Sequence, residues 1–563
     1  MGETIESIFD DLGGFGLAQW IIVTFIFYPF VAASWGMIQM AFAVMVPDWH
    51  CVELMSHDST PQLQQDQHQQ LYSNRSDLVK ACAINGSACA RFEFTGDKQT
   101  VVNEWSLICS HKWIPSTMIS IQMGGVLIGA VMAGQTSDRW GRRKSLVLAT
   151  AWHACANLMA SFSPSWQLFT VCRFLIGVGL GGVYTIGFPY AMEFLPLNRR
   201  GRVAIFPGWT LGVAIYVGAA YLMPHWRYIH LACAIFSIPA AAMLFVVPES
   251  IRWLAVEGRV DEAMVAVGKV ARWNGKPLPD RTRTILESIY LKKKQDSEGR
   301  LRYSYLDLFK RVYFVKCALV MCFLWASMSM ISYGISFGVH GLSGNLYLNI
   351  LLVNSVEIPG MLPVLWLMDR IGRKWTTVSI FCVISMTVIV VLILKLTDSD
   401  QNDRAVFVFA MITKLCIDNV WNVVQAWVSE LYPTTIRALG YGVAMTSARV
   451  GGMLAPFLIN LKESVVQTYL IILLLSLGVV LLSLLLPETR LSALKDSMAL
   501  KPLPADSILF EVSDPDVELK IPRDRTDEER DGLTRGAVDD SINGTVSSSL
   551  LVKGDCERNV KGL

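Results

Sequence analysis

The sequence is short of charged side chains. They make up 17% of its 563 residues, whereas soluble globular domains carry about 25%. The sequence also lacks the phosphate-binding loop of nucleotide-driven pumps, any zinc-ligand spacing and any nucleophile elbow. Its net charge of only +2 gives no reason to expect a nucleic-acid partner. These absences predict a protein that is not an enzyme, uses no cofactor or metal, and faces lipid over much of its surface.

Long apolar runs are what the sequence has instead, since 53% of its residues are hydrophobic. A helix needs about 20 mostly apolar residues to cross a bilayer. Twelve segments meet this requirement, and the expected fold class is an all-α polytopic membrane protein. The predicted spans lie near residues 18–46, 114–135, 145–163, 165–191, 204–223, 228–247, 315–338, 345–368, 376–396, 405–428, 439–461 and 467–486.

Basic residues predict how these spans are oriented. Lys and Arg gather in the loops after even-numbered spans, for example Arg142 and Lys144 after the second span and Arg373 and Lys374 after the eighth. Because such loops stay in the cytosol, we expect both termini to be cytosolic. The acidic start of the chain favours no cleavable signal peptide.

The first outside loop, predicted at residues 47–112, carries signals of an oxidising compartment. An even number of cysteines there predicts two disulfides, although free cysteines in a mobile loop are the alternative. Three pairings are possible and the sequence does not separate them. Two N-x-[ST] sequons predict glycosylation in the same loop. The residues concerned are Cys51, Cys82, Cys89 and Cys109 for the disulfides, and Asn74 and Asn85 for the glycans.

Three short motifs occur twice, in the same order, in the two halves of the chain. Chance could produce one such pair, but three in order indicate an internal duplication. The spans therefore divide into two pseudo-symmetric six-helix bundles. The motifs are Asp-Arg-x-Gly-Arg at 138–142 and 369–373, Glu-x-x-Pro-x-x-x-Arg at 193–200 and 430–437, and Pro-Glu-[Ser/Thr] at 248–250 and 487–489.

The duplication and the spans together predict the domain boundaries. The last segment is polar, charged and poor in aromatic residues, which is typical of a disordered tail. We expect a cytosolic N-terminus at 1–17, an N-terminal bundle at 18–247, a cytosolic inter-bundle loop at 248–314, a C-terminal bundle at 315–486 and a disordered cytosolic tail at 487–563.

The charged residues of the repeats predict a cytosolic gate. Arg142 and Arg373 can each reach a carboxylate at the end of another helix in the same half, for which Glu193 and Glu430 are the natural partners. As a network such pairs can close one face and must break when it opens. Anchoring in the membrane is the alternative, but it explains the arginines without the repeated acids and glycines. The predicted gate residues are Asp138, Arg142, Glu193, Arg200, Asp369, Arg373, Glu430 and Arg437.

These motifs resemble the major facilitator superfamily, through the stretch 134–143 and the glycine-rich fourth span. The large cysteine-bearing loop, the segment 103–109 and the segment 429–437 resemble the organic anion, cation and zwitterion transporters of solute carrier family 22. The resemblance implies the major facilitator fold and alternating access at the plasma membrane. It also implies a small organic ion as substrate, moved down its own gradient or by exchange with a counter-anion such as a dicarboxylate.

Ionisable residues within the spans are costly, so they predict the substrate site. Glu357, Lys414 and Arg449 lie in the eighth, tenth and eleventh spans. In the resembling family, the position of Arg449 carries Asp in cation carriers and Arg in carriers of anions and carnitine-type zwitterions. A guanidinium suits a carboxylate, so we expect organic anions or carboxylate-bearing zwitterions. The alternative for Arg449 is an internal ion pair with Glu357 or Asp418.

Other residues complete the predicted substrate site through the resemblance. Tyr333, Trp421 and Asn422 match family positions that line a central cavity, and Lys414 matches a lysine of many anion carriers. Met361 stands where anion carriers have a further lysine, which weakens the anion hypothesis. An organic cation or carnitine-like carrier is therefore one alternative function. A non-transporting receptor on the same fold is the other.

Overall fold

The computed structural model describes residues 5–54, 82–84, 87–196, 208–299, 312–337, 345–397, 403–432, 437–460 and 465–489. Several predictions fall outside these residues. They concern glycosylation at Asn74 and Asn85, the gate residue Arg200 and the polar tail after residue 489. The backbone of Arg437 is described and its side chain is not.

The described part of the chain is almost entirely helical. The helices are α1 (Ile5–Asp11), α2 (Leu17–Ala43), α3 (Val101–Glu104), α4 (Ile114–Trp140), α5 (Arg142–Ser161), α6 (Trp166–Met192), α7 (Gly208–Leu222), α8 (Trp226–Leu244), α9 (Ile251–Val256), α10 (Val260–Trp273), α11 (Thr282–Gly299), α12 (Val312–Phe337), α13 (Leu346–Ser355), α14 (Glu357–Ile371), α15 (Arg373–Leu396), α16 (Asp403–Leu431), α17 (Arg437–Asn460) and α18 (Val465–Ser483).

The predicted spans coincide with these helices. In the described part of the chain, nine helical stretches are apolar and long enough to cross a bilayer. α7 is apolar but shorter, and α5 and α17 are the more polar helices at the third and eleventh spans. The predicted all-α polytopic fold, with twelve spans in two six-helix bundles, is confirmed. The bundles have separate apolar cores, one built mainly on α2, α4 and α6 and the other on α12, α15 and α16.

The eighth span is interrupted at Val356, between α13 and α14. Pro359 has no N–H with which to bond the carbonyl of Ser355, so the helical hydrogen-bond ladder cannot run through this point. As a result Glu357 lies at the first position of α14 rather than in the middle of a continuous helix. The break presents this acid at the centre of the span.

Glycines allow α4 and α6 to pack in close contact. A Cβ atom added at Gly177 would lie 2.1 Å from the carbonyl oxygen of Gln122, and one at Gly181 would lie 2.2 Å from that of Val126. Any larger side chain would force the two helices apart. The glycines of the fourth span therefore mark a helix contact and do not end the span.

The loop between α2 and α4 contains a small sheet held by two disulfides. Strand β1 (Asp48–Leu54) pairs antiparallel with β3 (Ser87–Thr95), which also pairs with the short β2 (Ala83–Ile84). The disulfides join Cys51 to Cys89 and Cys82 to Cys109. The structure thus contains two disulfides, in one of the three possible pairings.

Two seams join the halves of the molecule. We call the end of the spans next to the disulfide-bonded loop the loop side, and the end with the Asp-Arg-x-Gly-Arg motifs the motif side. At the first seam, Thr210 Oγ1 of α7 donates to the carbonyl of Asn354 in α13 at 3.2 Å. At the second, Ser120 Oγ of α4 donates to the carbonyl of Met453 in α17 at 2.7 Å.

Candidate functional site

A cavity of about 270 Å³ lies between the two halves. The N-terminal half contributes side chains of α2 and α7, and the C-terminal half contributes side chains of α12, α13, α14 and α16. The cavity therefore touches both bundles, as an alternating-access site requires. Its walls are formed by Met37, Ile38, Trp209, Ser332, Tyr333, Ser336, Asn354, Glu357, Lys414, Asp418, Trp421, Asn422 and Gln425.

One face of α16 supplies much of this wall. Lys414, Asp418, Trp421, Asn422 and Gln425 are spaced by three or four residues, which places their side chains on one helical face. Five of the six predicted substrate residues line the cavity, namely Glu357, Tyr333, Trp421, Asn422 and Lys414. Asp418 was considered from the sequence as an intramembrane acid that could pair with Arg449, and it lines the cavity instead. Gln425 was not predicted, although its helical spacing from Trp421 could have revealed it.

The lysine of the cavity is already paired with an acid. Lys414 Nζ lies 2.9 Å from Asp418 Oδ1 and 3.1 Å from the hydroxyl of Ser332. Ser332 in turn donates to the same carboxylate oxygen at 2.7 Å. Lys414 therefore adds little net positive charge to the cavity. Within the part of the chain that the structure describes, the carboxylate of Glu357 has neither an ion pair nor a hydrogen bond.

Arg449, the sixth predicted substrate residue, stands apart from this wall. It is half-buried on α17 and is not among the described residues that line the cavity. Its guanidinium lies within electrostatic range of Tyr184 and Tyr441. No ion pair to Arg449 is present among the residues described, so the alternative of an internal pair with Glu357 or Asp418 is not what the structure contains.

A second intramembrane arginine, Arg173, is fully buried in the core of the N-terminal half. Its guanidinium donates to Gln39 Oε1 at 2.7 Å, to the carbonyl of Gly36 at 3.0 Å and to Gln122. The chain of hydrogen bonds continues from Gln39 to Asn157 at 3.0 Å. Arg173 therefore ties α2, α4, α5 and α6 into one body and lies away from the cavity.

The motif of the N-terminal half forms a charged cluster at the motif side. Arg142 Nη1 lies 2.5 Å from Asp138 Oδ1, and Arg142 Nε lies 3.4 Å from Glu193 Oε1. Burial raises the pKa of Glu193 above its ordinary value, against the opposing effects of Ser250 and Arg142. The predicted contact between the end of α4 and the end of α6 is therefore present.

The motif of the C-terminal half forms a related but different cluster. Both Nη2 and Nε of Arg373 approach Glu430 Oε1, at 2.9 and 3.1 Å. The other oxygen of Glu430 accepts a hydrogen bond from Thr489 Oγ1 at 2.6 Å. Asp369 is exposed and takes part in no ion pair among the described residues. This cluster therefore rests on Arg373 and Glu430 without the motif's own acid.

Two acids of the Pro-Glu-[Ser/Thr] motifs were not predicted as part of these clusters. Glu249 Oε1 accepts from the backbone N–H of Arg143 at 2.9 Å, at the start of α5. Glu488 accepts from the backbone N–H groups of Arg373 and Lys374, at 2.9 and 3.0 Å, at the start of α15. Each carboxylate thus satisfies N–H groups that have no partner within the helix. The recurrence of this acid in both halves was the signal in the sequence that could have predicted its part in the clusters.

Comparison with known proteins identifies the family. A model of the sugar (and other) transporter family matches residues 60–498. A relative named organic cation transporter protein from Drosophila melanogaster is 28% identical over 86% of this chain and 92% of its own length. Solute carrier family 22 member 7 from Bos taurus is 31% identical over 71% of this chain and 72% of its own length. Organic anion transporter 3 from Mus musculus is 26% identical over 80% of this chain and 86% of its own length.

Solved structures agree at the level of the fold. The proton:xylose symporter XylE of the major facilitator superfamily covers 83% of this chain and 97% of its own, with a TM-score of 0.54 and 16% identity. The partially occluded inward-open structure of the xylose transporter XylE from E. coli covers 84% of this chain and 98% of its own, with a TM-score of 0.56 and 14% identity. The matching family model and the curated relatives show a multi-pass membrane transporter and not an enzyme. The chain belongs to the sugar (and other) transporter family and to solute carrier family 22.

Proposed function

We propose that the chain transports small organic ions that bear both a cationic group and a carboxylate. The observation that carries the proposal is that two intramembrane charges of opposite sign, Glu357 and Arg449, have no ion pair among the described residues. Asp418 offsets the charge of Lys414, whereas the carboxylate of Glu357 has no partner among the described residues. An acid left in this state in a membrane span favours a cationic group on the substrate.

The carboxylate of the substrate would bind Arg449. This guanidinium lacks an ion pair in the described part of the chain, and a buried or half-buried cation of this kind favours an anionic partner. Tyr184 lies within electrostatic range of both Arg449 and the cavity residue Tyr333. The substrate would therefore extend from Glu357 past Tyr333 towards Arg449. Trp421, which packs edge-on against Trp325 at 5.6 Å, would contact its apolar body.

A purely cationic substrate is the second candidate. Glu357 lines the cavity and Arg449 does not, so the charges on the wall itself sum to a negative value. One relative is named an organic cation transporter and another an organic anion transporter, so relatives of both types exist. The net charge of the wall is the specific observation that favours the cation.

Uptake of three probes separates these candidates. We expect a trimethylammonium carboxylate such as carnitine to be taken up better than tetraethylammonium or benzoate. Glu357→Gln should reduce uptake of the zwitterion and the cation at least tenfold, and Arg449→Gln should reduce only that of the zwitterion. Glu262→Gln, at an exposed acid of α10 that pairs with Arg259, is the matched control and should leave uptake unchanged.

Each alternative function predicts a different outcome of these experiments. Cation uptake that exceeds zwitterion uptake and is insensitive to Arg449→Gln would favour the cation carrier. Anion uptake that survives Glu357→Gln and fails in Arg449→Gln would favour an anion carrier. Binding without flux in reconstituted vesicles would favour a receptor.

We further propose facilitated diffusion or exchange at the plasma membrane, with both termini in the cytosol. The basic loops after even-numbered spans and the disulfide-bonded loop support this orientation. Preloading cells with a dicarboxylate should stimulate uptake if the mechanism is exchange and leave it unchanged if it is not. Glycosidase treatment of intact cells should increase the mobility of the chain, and Asn74→Gln with Asn85→Gln should abolish that shift.

A further inference from the structure

A lysine of the disulfide-bonded loop is held at the loop-side end of α7. Lys98 Nζ donates to the carbonyl of Tyr221 at 2.9 Å and lies 3.4 Å from that of Met223 and 3.5 Å from that of Ala220. Carbonyls at the end of a helix have no N–H partner within the helix, so a cation is favourable there. The ammonium of Lys98 is therefore fixed on the N-terminal half.

The backbone around Lys98 is also attached to the N-terminal half. The N–H of Gln99 donates to the carbonyl of Pro224 at 2.7 Å, and the N–H of Trp226 donates back to Gln99 at 3.1 Å. Asn103 Nδ2 of α3 donates to the carbonyl of Lys98 at 3.2 Å. The segment therefore moves with α7 and α8, and the disulfides of the preceding sheet tie it to the rest of the loop.

An aromatic side chain of the other half meets this lysine across the first seam. Tyr347 lies in the first turn of α13, and its ring centroid is 5.7 Å from Lys98 Nζ. The same ring stacks on Phe42 of α2 at 5.1 Å and meets Tyr221 of α7 edge-on at 5.4 Å. A cation within about 6 Å of an aromatic centroid is attracted by the ring, more strongly where water is excluded.

We propose that Lys98 and Tyr347 form an outer gate, in which the disulfide-bonded loop supplies a cation that holds the C-terminal half closed over the central cavity. Lys98 moves with the N-terminal half and Tyr347 with the C-terminal half, so the contact must break when the loop side opens. The cavity lies below the same seam, because Trp209 and Asn354 line it and are joined by a 3.2 Å hydrogen bond.

The strength of such a contact suits a gate. A cation–π contact changes the ratio of closed to open molecules by roughly threefold to tenfold. This is enough to bias the closed state without locking it. The proposal gives the first loop a part in the conformational cycle, and it does not depend on which ion is carried.

Labelling of a cysteine in the cavity tests the proposal without a substrate. Ser336→Cys places a reporter on the cavity wall, near the loop-side end of α12. A membrane-impermeant maleimide is applied to the membrane face from which Thr95→Cys, exposed on β3, is labelled. The parent chain without Ser336→Cys gives the background from its own free cysteines.

Removing either partner should open the gate. We expect Lys98→Met and Tyr347→Leu each to raise the labelling rate of the reporter about threefold to tenfold. The double variant should label no faster than the faster single variant, because both changes remove one contact. Lys98→Arg and Tyr347→Phe keep the cation and the ring, so their rates should stay within about twofold of the parent.

The matched control is Tyr228→Leu, which removes an exposed aromatic ring from the loop-side end of α8, where the ring contacts His225. Its labelling rate should equal that of the parent. Unchanged labelling in both Lys98→Met and Tyr347→Leu would overturn the proposal. Fully additive effects of the two changes would also overturn it, since Lys98 would then act only on the end of α7.

Discussion

The two copies of the Asp-Arg-x-Gly-Arg motif form clusters with the same contact between the motif and a Pro-Glu-[Ser/Thr] acid, which we call the shared frame. The two clusters differ in their ion pairs. In the N-terminal half, Arg142 divides its contacts between the motif acid Asp138 and the more distant Glu193. In the C-terminal half, Arg373 makes both of its contacts to Glu430, while Asp369 remains exposed. The C-terminal cluster therefore joins two spans more tightly than the N-terminal cluster does.

The part common to both clusters is a glycine facing a carboxylate. Gly141 and Gly372 have φ values of 98° and 93°, which side chains rarely adopt. A Cβ atom at Gly141 would lie 2.5 Å from a carboxylate oxygen of Glu249, and one at Gly372 would lie 2.6 Å from each carboxylate oxygen of Glu488. The glycine is thus needed both for its backbone conformation and for the space that the acid fills.

Replacing these glycines should have the largest effect. Gly141→Ala and Gly372→Ala combine backbone strain with a displaced carboxylate, so each should cost about 2 kcal/mol or more. The melting temperature of the purified protein in detergent would fall by several degrees in both cases. Gly268→Ala, in open space on α10, is the control and should be neutral or slightly stabilising. A large effect in one half only would show that Gly141 and Gly372 do not have equivalent roles in the two halves.

Removing the acids of the shared frame should have a smaller and similar effect in each half. Glu249→Ala and Glu488→Ala leave N–H groups at the start of α5 or α15 without their partner, which costs about 1–2 kcal/mol. The melting temperatures of the two variants are the measurement. The control is Glu287→Ala, at an exposed acid of α11 whose ion pair is with Arg283. Melting temperatures equal to that of the parent would mean that water replaces the carboxylates without cost.

Much of this arrangement could be predicted from the sequence, because it depends on local signals. Apolar runs located the spans, and the repeated motifs located Arg142 with Glu193 and Arg373 with Glu430. The sequence could not reveal that Glu249 and Glu488 bond to backbone N–H groups, because that contact joins segments about a hundred residues apart. Nor could it separate the exposed Asp369 from the paired Asp138, since the two motifs are nearly identical in sequence.

The substrate site was predicted only in part, because local sequence signals identify some of its residues and long-range packing decides the positions of the others. Family positions and costly ionisable residues pointed to Glu357, Tyr333 and Trp421, which line the cavity. The neutralisation of Lys414 by Asp418 depends on the rotamers of α16 and on the hydroxyl of Ser332 from α12. The position of Arg449 away from the wall depends on how α17 packs against α12 and α4. Sequence patterns carry little information about such long-range packing.

Double-mutant cycles should reveal the difference between the two ion pairs. For Arg373→Met with Glu430→Gln, we expect a coupling energy of about 1–2 kcal/mol, because Arg373 approaches one partly buried oxygen with two nitrogens. For Arg142→Met with Glu193→Gln, the single 3.4 Å contact predicts about 0.5 kcal/mol or less. Melting temperatures of the single and double variants supply both cycles. Equal coupling energies would contradict our expectation that the Arg373–Glu430 ion pair is the stronger of the two.

The motif acids should give the smallest effect. Asp138→Asn removes an ion pair of a mostly exposed side chain, so the expected loss of stability is at most about 0.5 kcal/mol. Asp369→Asn removes no ion pair of the described residues and should leave the melting temperature unchanged. If Asp369→Asn nevertheless slows transport, the acid must pair in another conformation of the cycle, because its loss then acts on a state other than this one. Equal and unchanged transport in both variants would instead limit the role of the motif acids to the topology of the loop.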